Sequence, residues 1–282
     1  MQYGVSLPTG GACGDPRLLV ELAERAEASG WDGLFLEDYV CYQGDRAAPT
    51  CNSWIALAAM AARTERLRLG TEVTPLARRR PWNVAREAAG IDQLSGGRMV
   101  LGVGLGDTGE AIGRDASFTC FGEERDARRR AAMLDEALEV IAGLWSGAPF
   151  SFDGAHCRVE DVTFLPPPVQ RPRIPIWIGG GYPNAGPTRR AARWDGACLY
   201  KETHGGPWEH MTPDDVRALR SAAGARPYTV AVGGSGRAAD WEAEYDHIRA
   251  VAEAGADWWI EWIPPADADI LRASVERGPL RG

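Results

Sequence analysis

Residues able to do chemistry gather in this chain where short apolar stretches end. Taken in order, those ends carry Pro8 and Thr9; Glu37, Asp38 and Tyr39; Glu72 and Val73; Leu105, Gly106 and Asp107; Gly179, Gly180 and Gly181; Lys201 and Glu202; Gly233 and Gly234; and Glu261. The set is rich in carboxylates and in glycine. A carboxylate at such a place can donate or accept a proton or hold a ring N–H; Asp107, Asp38 and the neighbouring Tyr39 are the candidates for that work, with His204 a further candidate relay. For each carboxylate the alternative is a salt bridge to one of the chain's arginines. Gly179-Gly180-Gly181 is followed by Pro183 and Asn184, which open the next helical pattern. Backbone without Cβ atoms can approach an anion closely, and successive N–H groups beside a helix start make a phosphate cradle; a plain turn is the alternative. Gly104-Leu105-Gly106-Asp107-Thr108-Gly109 formally matches G-x-G-x-x-G, but no periodic helix opens behind it as a dinucleotide site requires. Those glycines instead suit a flat ring lying against the backbone beside Asp107. Lys201 has the position of a Schiff-base lysine but no basic neighbour in sequence to depress its pKa.

The elements that must position these residues follow from hydrophobic periodicity. Strand patterns occupy Tyr3–Leu7, Gly33–Glu37, Leu67–Val73, Met99–Gly104, Ile174–Ile178, Gly196–Tyr200, Tyr228–Val232 and Trp258–Trp262. Most are continuously apolar, as parallel strands covered on both faces require. Between them run amphipathic helices: Asp15 and Pro16 open a stripe of Leu18, Leu19, Leu22, Ala23 and Ala26 that Gly30 stops. Leu134, Leu138, Ile141 and Trp145 form another stripe, and Trp241, Tyr245, Ile248 and Ala252 a third. Eight alternations predict an α/β chain folded as a single (β/α)8 TIM barrel over residues 1–282, with active-site residues at the C-terminal strand ends. An open doubly wound sheet uses the same units. Two stretches break the rhythm: Asp107 to Glu123, and Ser146 to Arg173, read as a small β excursion and a proline-rich return inserted before the fifth strand.

Bulk composition narrows the function classes. The net charge of −8 argues against a phosphate-backbone partner, and the runs Arg78-Arg79-Arg80 and Arg128-Arg129-Arg130 are too short for a nucleic-acid footprint. No apolar run reaches the ~20 residues of a membrane helix and the first residues already read as a strand, so a cytoplasmic chain without signal peptide is expected. Six scattered cysteines without a Cys-x-x-Cys pair, and four histidines without helical spacing, predict reduced thiols and no metal.

The segment from Leu67 to Gly106 carries a resemblance. It contains Gly70-Thr71-Glu72-Val73-Thr74-Pro75, Ala85-Arg86-Glu87, Ile91-Asp92-Gln93-Leu94-Ser95-Gly96-Gly97-Arg98 and Gly102-Val103-Gly104-Leu105-Gly106. With Gly30-Trp31-Asp32-Gly33, Leu165-Pro166-Pro167-Pro168-Val169-Gln170 and Pro175-Ile176-Trp177-Ile178-Gly179-Gly180, it resembles the luciferase-like monooxygenase superfamily over most of the chain. The resemblance implies a barrel with an insertion, a homodimer, and an FMN- or F420-dependent monooxygenase, reductase or dehydrogenase acting on a small organic substrate. A non-catalytic flavin-binding protein of the same fold is the alternative. The cofactor ring would lie in the barrel mouth near Asp38, with Glu72 and Val73 forming a bulge at a non-proline cis peptide behind it. Asp107 would take the proton-handling position, Leu105, Gly106 and Trp177 would line the ring, and Gly179, Gly180 and Gly181 would hold the phosphate side. Tyr39 stands where F420-dependent relatives place a histidine. Glu72 stands where the family has a small residue, and should turn inward towards Arg68 or Arg98. The region after the seventh strand is abbreviated, leaving a pocket that is open or completed by a partner subunit.

Overall fold

The computed structural model describes residues 1–108, 115–201, 209–234, 237 and 240–281. Its strands are β1 (Gln2–Leu7), β2 (Gly33–Leu36), β3 (Arg68–Thr71), the short β4 (Thr74–Pro75), β5 (Met99–Gly104), β6 (Pro149–Asp153), β7 (Arg158–Thr163), β8 (Ile176–Tyr182), β9 (Gly196–Lys201), β10 (Thr229–Gly234) and β11 (Trp258–Trp262). All except β6 and β7 run parallel, and β4 resumes the line of β3 after a break at Glu72 and Val73. Pairing of β1 with β11 and of β3 with β5 closes the sheet into an eight-stranded barrel. Helices cover its outside: α1 (Pro16–Ala28), α2 (Ser53–Arg63), α3 (Pro81–Ser95), α4 (Ala116–Cys120), α5 (Ala127–Leu144), α6 (Ala185–Ala191), α7 (Pro213–Ala223), α8 (Trp241–Glu253) and α9 (Ala268–Glu276). Among the described residues no helix is long and apolar enough to cross a membrane.

The local rules hold at α1. Asp15 accepts the Arg17 N–H at 2.9 Å, Pro16 opens the helix, Leu18, Leu19, Leu22, Ala23 and Ala26 are buried, and Gly30 takes φ +85 beyond its end. The stripe expected on α8 is rotated. Trp241, its first residue, is 54% exposed, and the buried face is Glu244, Ile248 and Val251. Two helical stripes share Ile248, and contact with the barrel selects between them, which periodicity alone does not. The insertion between α5 and β8 is the antiparallel hairpin of β6 and β7. Its proline-rich return is tied down by Asp92 on α3, which accepts the N–H groups of Val169 and Gln170 at 2.7 and 3.0 Å and the Gln170 amide at 2.7 Å.

Strand alternation decides what enters the barrel. Phe35, Val100, Trp177, Cys198, Ala231, Trp258 and Ile260 point inward and pack as an aromatic floor, with Phe35 and Trp177 ring centroids 5.5 Å apart. Glycine opposite these rings is a packing requirement. A Cβ on Gly4 would stand 2.9 Å from Phe35, and one on Gly196 2.7 Å from Trp177.

Candidate active site

The same alternation sorts the strand-end carboxylates into two classes. Asp38 and Glu261 stand one step from inward positions and face the helices; Glu37 and Glu72 stand two steps beyond the inward Phe35 and Gly70 and face the mouth.

The outward pair are ion-paired girders. Asp38, 3% exposed, accepts Arg79 Nη2 at 2.8 Å, the Thr74 hydroxyl at 2.9 Å and the Trp54 indole N–H at 3.2 Å. Arg78 adds its charge at 3.8 Å and also meets Asp115 at 3.1 Å. Burial works to raise the Asp38 pKa, but the charges of Arg79 and Arg78 and these hydrogen bonds overcome it and hold the carboxyl below its usual range. A carboxylate kept ionised and occupied in this way is placed to position Arg79, Arg78, Thr74 and Trp54 beside the mouth. Glu261, 2% exposed, pairs with Arg237 at 3.0 Å and with Arg277.

The inward pair have no such compensation. In the register of β2 with β3, Leu36 lies opposite Thr71, and the Glu72 N–H reaches the Leu36 carbonyl at 2.8 Å. Glu37 and Glu72 therefore stand side by side on adjacent strands. Glu37 Oε1 accepts the Trp262 indole N–H at 3.1 Å, while its Oε2 and the Tyr42 hydroxyl, both buried, lie against one another without a hydrogen bond of normal geometry. Burial pushes the Glu37 carboxyl up to about 7. Burial, helped by the charge of Glu37 and opposed by the Ser6 hydroxyl, does the same for Glu72, to about 7. The inward turn of Glu72 is as expected, but neither Arg68 nor Arg98 meets it. The Arg98 guanidinium is spent on the carbonyls of Ala61, Thr64, Leu67 and Ser95.

The Glu72–Val73 peptide bond is cis. Val73 points into the barrel, where its methyls occupy space that side chains on Gly104 and Gly179 would need; Cβ atoms there would stand 2.8 and 2.6 Å away. Gly106 has φ +75 and Gly180 φ +150, so both glycines also answer local backbone needs. A Cβ on Gly180 would meet Pro187 at 2.8 Å. Trp177 is 3% exposed in the floor, one inward layer below Gly179. It therefore lies beneath the mouth and does not line it, contrary to expectation, because the period of two that brings Gly179 to the rim leaves Trp177 under Val73. Beyond β5, Asp107 is exposed, and its charge, after burial and the charges of Glu37 and Asp115, helps to raise the pKa of Tyr39. Asp107 and Tyr39 are thus brought to one side of the mouth. Arg130 of α5 holds this loop, donating to the carbonyls of Leu105 and Gly106 at 2.7 Å each.

Lys201 is engaged by Asp215 at 3.2 Å. Glu202 and His204 lie outside the described residues. No group of three or more His, Cys, Asp or Glu able to hold a metal occurs among the described residues. Ser6 and Trp262 had not been singled out as site residues, although the period-two count from Gly4 and Ile260 points to each, and Glu37 had been named only as one of the strand-end carboxylates. Arg130 had no readable signal, since its partners are backbone carbonyls.

The fold has known counterparts. F420-dependent tetrahydromethanopterin reductase of Methanopyrus kandleri superposes with TM-score 0.72 at 16% identity, covering 98% of both chains. An F420-dependent secondary alcohol dehydrogenase gives TM-score 0.75 at 18% identity over 98% of this chain and 96% of that one. In sequence, the F420-dependent glucose-6-phosphate dehydrogenases of Intrasporangium calvum and Microbacterium testaceum are 36% and 37% identical over 60% and 63% of this chain. The chain spans about half the length of these curated relatives, 49% and 50%. The profile of the luciferase-like monooxygenases matches residues 1–277, and the chain belongs to that family.

Proposed function

We propose that this protein is an oxidoreductase that binds F420 or FMN in the barrel mouth and works on a small organic substrate. The observation that carries the reading is Val73, wedged between Gly104 and Gly179, beside a glycine-lined rim with carboxyl groups facing it. The glucose-6-phosphate dehydrogenase relatives favour F420 over FMN. A flat ring with a polar edge fits these residues. Leu105, Gly106 and Gly179 offer backbone without bulk, Gly180 and Gly181 lead towards α6 for a phosphate, and the buried hydroxyls of Thr9 and Tyr42 have no hydrogen-bond partner among the described residues. When bound, such a cofactor supplies hydride transfer or, for FMN, oxygen activation. The chain supplies a ring support at Val73, a rim at Leu105 and Gly106, and the acid groups Asp107 and Tyr39 on one side. A homodimer belongs to the same proposal; light scattering should give twice 30.5 kDa.

Anaerobic titration with F420 and with FMN, read by tryptophan fluorescence and melting temperature, tests the reading. At a ligand concentration of 100 Kd the gain in stability is about 2.7 kcal/mol. A protein that responds to neither cofactor refutes it. Asp107→Asn should keep cofactor affinity and lower turnover by roughly 10², in the range of general acid–base groups. Intact turnover would make Asp107 a polar wall.

A further inference from the structure

Four of the six cysteines are buried, whereas Cys41 and Cys120 keep part of their surface in solvent. The two lie in different connections at the mouth, Cys41 two residues beyond Tyr39 and Cys120 at the end of α4. Those connections are stitched together at this place. The Ser117 hydroxyl of α4 accepts the backbone N–H groups of Val40 and Cys41 at 3.3 and 3.1 Å. Residues three apart on a helix share a face, with Cβ atoms about 5–6 Å apart, so Cys120 stands one turn beyond Ser117 on the face that Cys41 meets. Its thiol lies against the Cys41 thiol. Burial, then the Cys120 thiol and the charge of Asp115, hold the Cys41 thiol above its usual pKa against the opposing charge of Arg46. The edge is open to small reagents, since Val40 and Phe121, the next residues to each cysteine, are 49% and 60% exposed. It also adjoins the acids of the mouth. The N–H of Asp115, which caps α4, donates to the Asp107 carbonyl at 3.2 Å, and Arg78 joins the Asp115 carboxylate to the Asp38 carbonyl.

We propose that Cys41 and Cys120 are a redox-modification site, which hydrogen peroxide oxidises to a disulfide that ties the β2–α2 connection to the β5–α5 connection at the rim of the mouth. One cysteine, as thiolate, attacks a peroxide oxygen; the O–O bond breaks, the departing hydroxide takes a proton to become water, and the sulfur is left as a sulfenic acid. The second sulfur attacks the first, the S–S bond forms and the S–O bond breaks, and the oxygen leaves as water with the proton of the second thiol. Two thiols lose two electrons and one hydrogen peroxide becomes two waters. The joined connections carry Tyr39 and Asp107, so that side of the mouth loses freedom to open and entry of a planar cofactor slows. The slower entry rests on the oxidoreductase reading; the disulfide does not.

The full chain without added cofactor, reduced and then treated with hydrogen peroxide, should lose the mass of two hydrogen atoms. Peptide mapping without reductant should show Cys41 joined to Cys120, and dithiothreitol should reverse both changes. Cys41→Ser and Cys120→Ser should each abolish the crosslink and leave the remaining thiol as a sulfenic acid that dimedone traps. A crosslink between other cysteines, or oxidation of the parent that adds oxygen without joining these two, overturns the pair. After removal of peroxide, F420, or FMN where that is the ring that binds, is mixed with the oxidised protein and followed by tryptophan fluorescence. It should associate roughly threefold or more slowly than with the reduced protein, since binding that needs a conformational change is slowed when the change is hindered. Dithiothreitol should restore the rate, and Cys120→Ser exposed to the same peroxide should keep the rate of the untreated protein. A disulfide formed as expected with an unchanged association rate overturns the control of entry. Failure to bind F420 or FMN overturns the oxidoreductase reading and the control of entry with it, and the crosslink, read without cofactor, still decides the pair.

Discussion

A carboxylate with 1% side-chain exposure is stable only if its charge is answered, and at Asp38 two guanidinium groups and two neutral donors answer it. Removing the charge leaves Arg78, itself 3% exposed, with less compensation. Asp38→Asn should therefore cost about 3–5 kcal/mol, read from the denaturant midpoint, whatever it does to turnover. A loss under 1 kcal/mol would show that Asp115 alone balances Arg78. The sign with pH follows from the lowered pKa. The folded protein holds the Asp38 proton less tightly than the unfolded chain, so this contribution is complete above an unfolded-state pKa of about 3.9. It fades as pH falls from there through the folded value.

At the scale of the element, the break between β3 and β4 is the device that shapes the mouth. It inserts Val73 where β5 and β8 have surrendered their side chains at Gly104 and Gly179. The two sides of that exchange should be coupled energetically. Gly104→Ala brings a Cβ to 2.8 Å from the Val73 methyl and should destabilise by about 1–3 kcal/mol, as overpacking does. Combined with Val73→Ala, the loss should fall short of the sum of the single losses by 0.5 kcal/mol or more, on the order expected for residues in contact. Additive losses in a double-mutant cycle would mean that β5 moves aside and that Val73 is not wedged. The β5 exit has a second support in Arg130, whose α5 position lets one guanidinium bind two successive carbonyls beside Asp107.

Over the whole molecule, the two classes of carboxylate predict opposite slopes in a stability–pH profile. Glu37 and Glu72, each pushed up to about 7, bind a proton more tightly in the folded state than in the unfolded one. Stability should therefore fall as pH rises from about 4.3 through 7, the reverse of the Asp38 trend at lower pH. The double substitution Glu37→Gln with Glu72→Gln should flatten that fall and raise stability at pH 8 by about 1–3 kcal/mol. A profile in which the variant and the parent remain parallel from pH 5 to 8 would remove the unfavourable burial from the account. The prediction also bears on function: groups that lower stability at working pH are kept where an active site uses them.

The sequence by itself determined the alternation of strands and helices and the place of the insertion before the fifth barrel strand, whereas closure into a barrel and the bulge at Glu72–Val73 were implied by the family resemblance. Continuous apolar runs suit parallel strands covered on both faces, and Asp15, Pro16 and Gly30 punctuate α1. Much of the motif that signalled the family proved to be scaffolding: Asp92 pins the proline-rich return, and Arg98 binds four carbonyls. What only the tertiary structure decided was the environment of each acid and of each face. Asp38 and Glu37 differ by one residue and so by which side of a strand they occupy, but their charge states depend on Arg78 and Arg79 from beyond β4 and on Trp262 from the other end of the chain. Trp177 adjoins the glycine run in sequence yet lies under the mouth, and Trp241 lies outside the buried stripe of α8. Periodicity gives the direction in which a side chain leaves the backbone; the neighbours it finds there come from strands distant in sequence, and desolvation and pairing by those neighbours decide which acid keeps its proton.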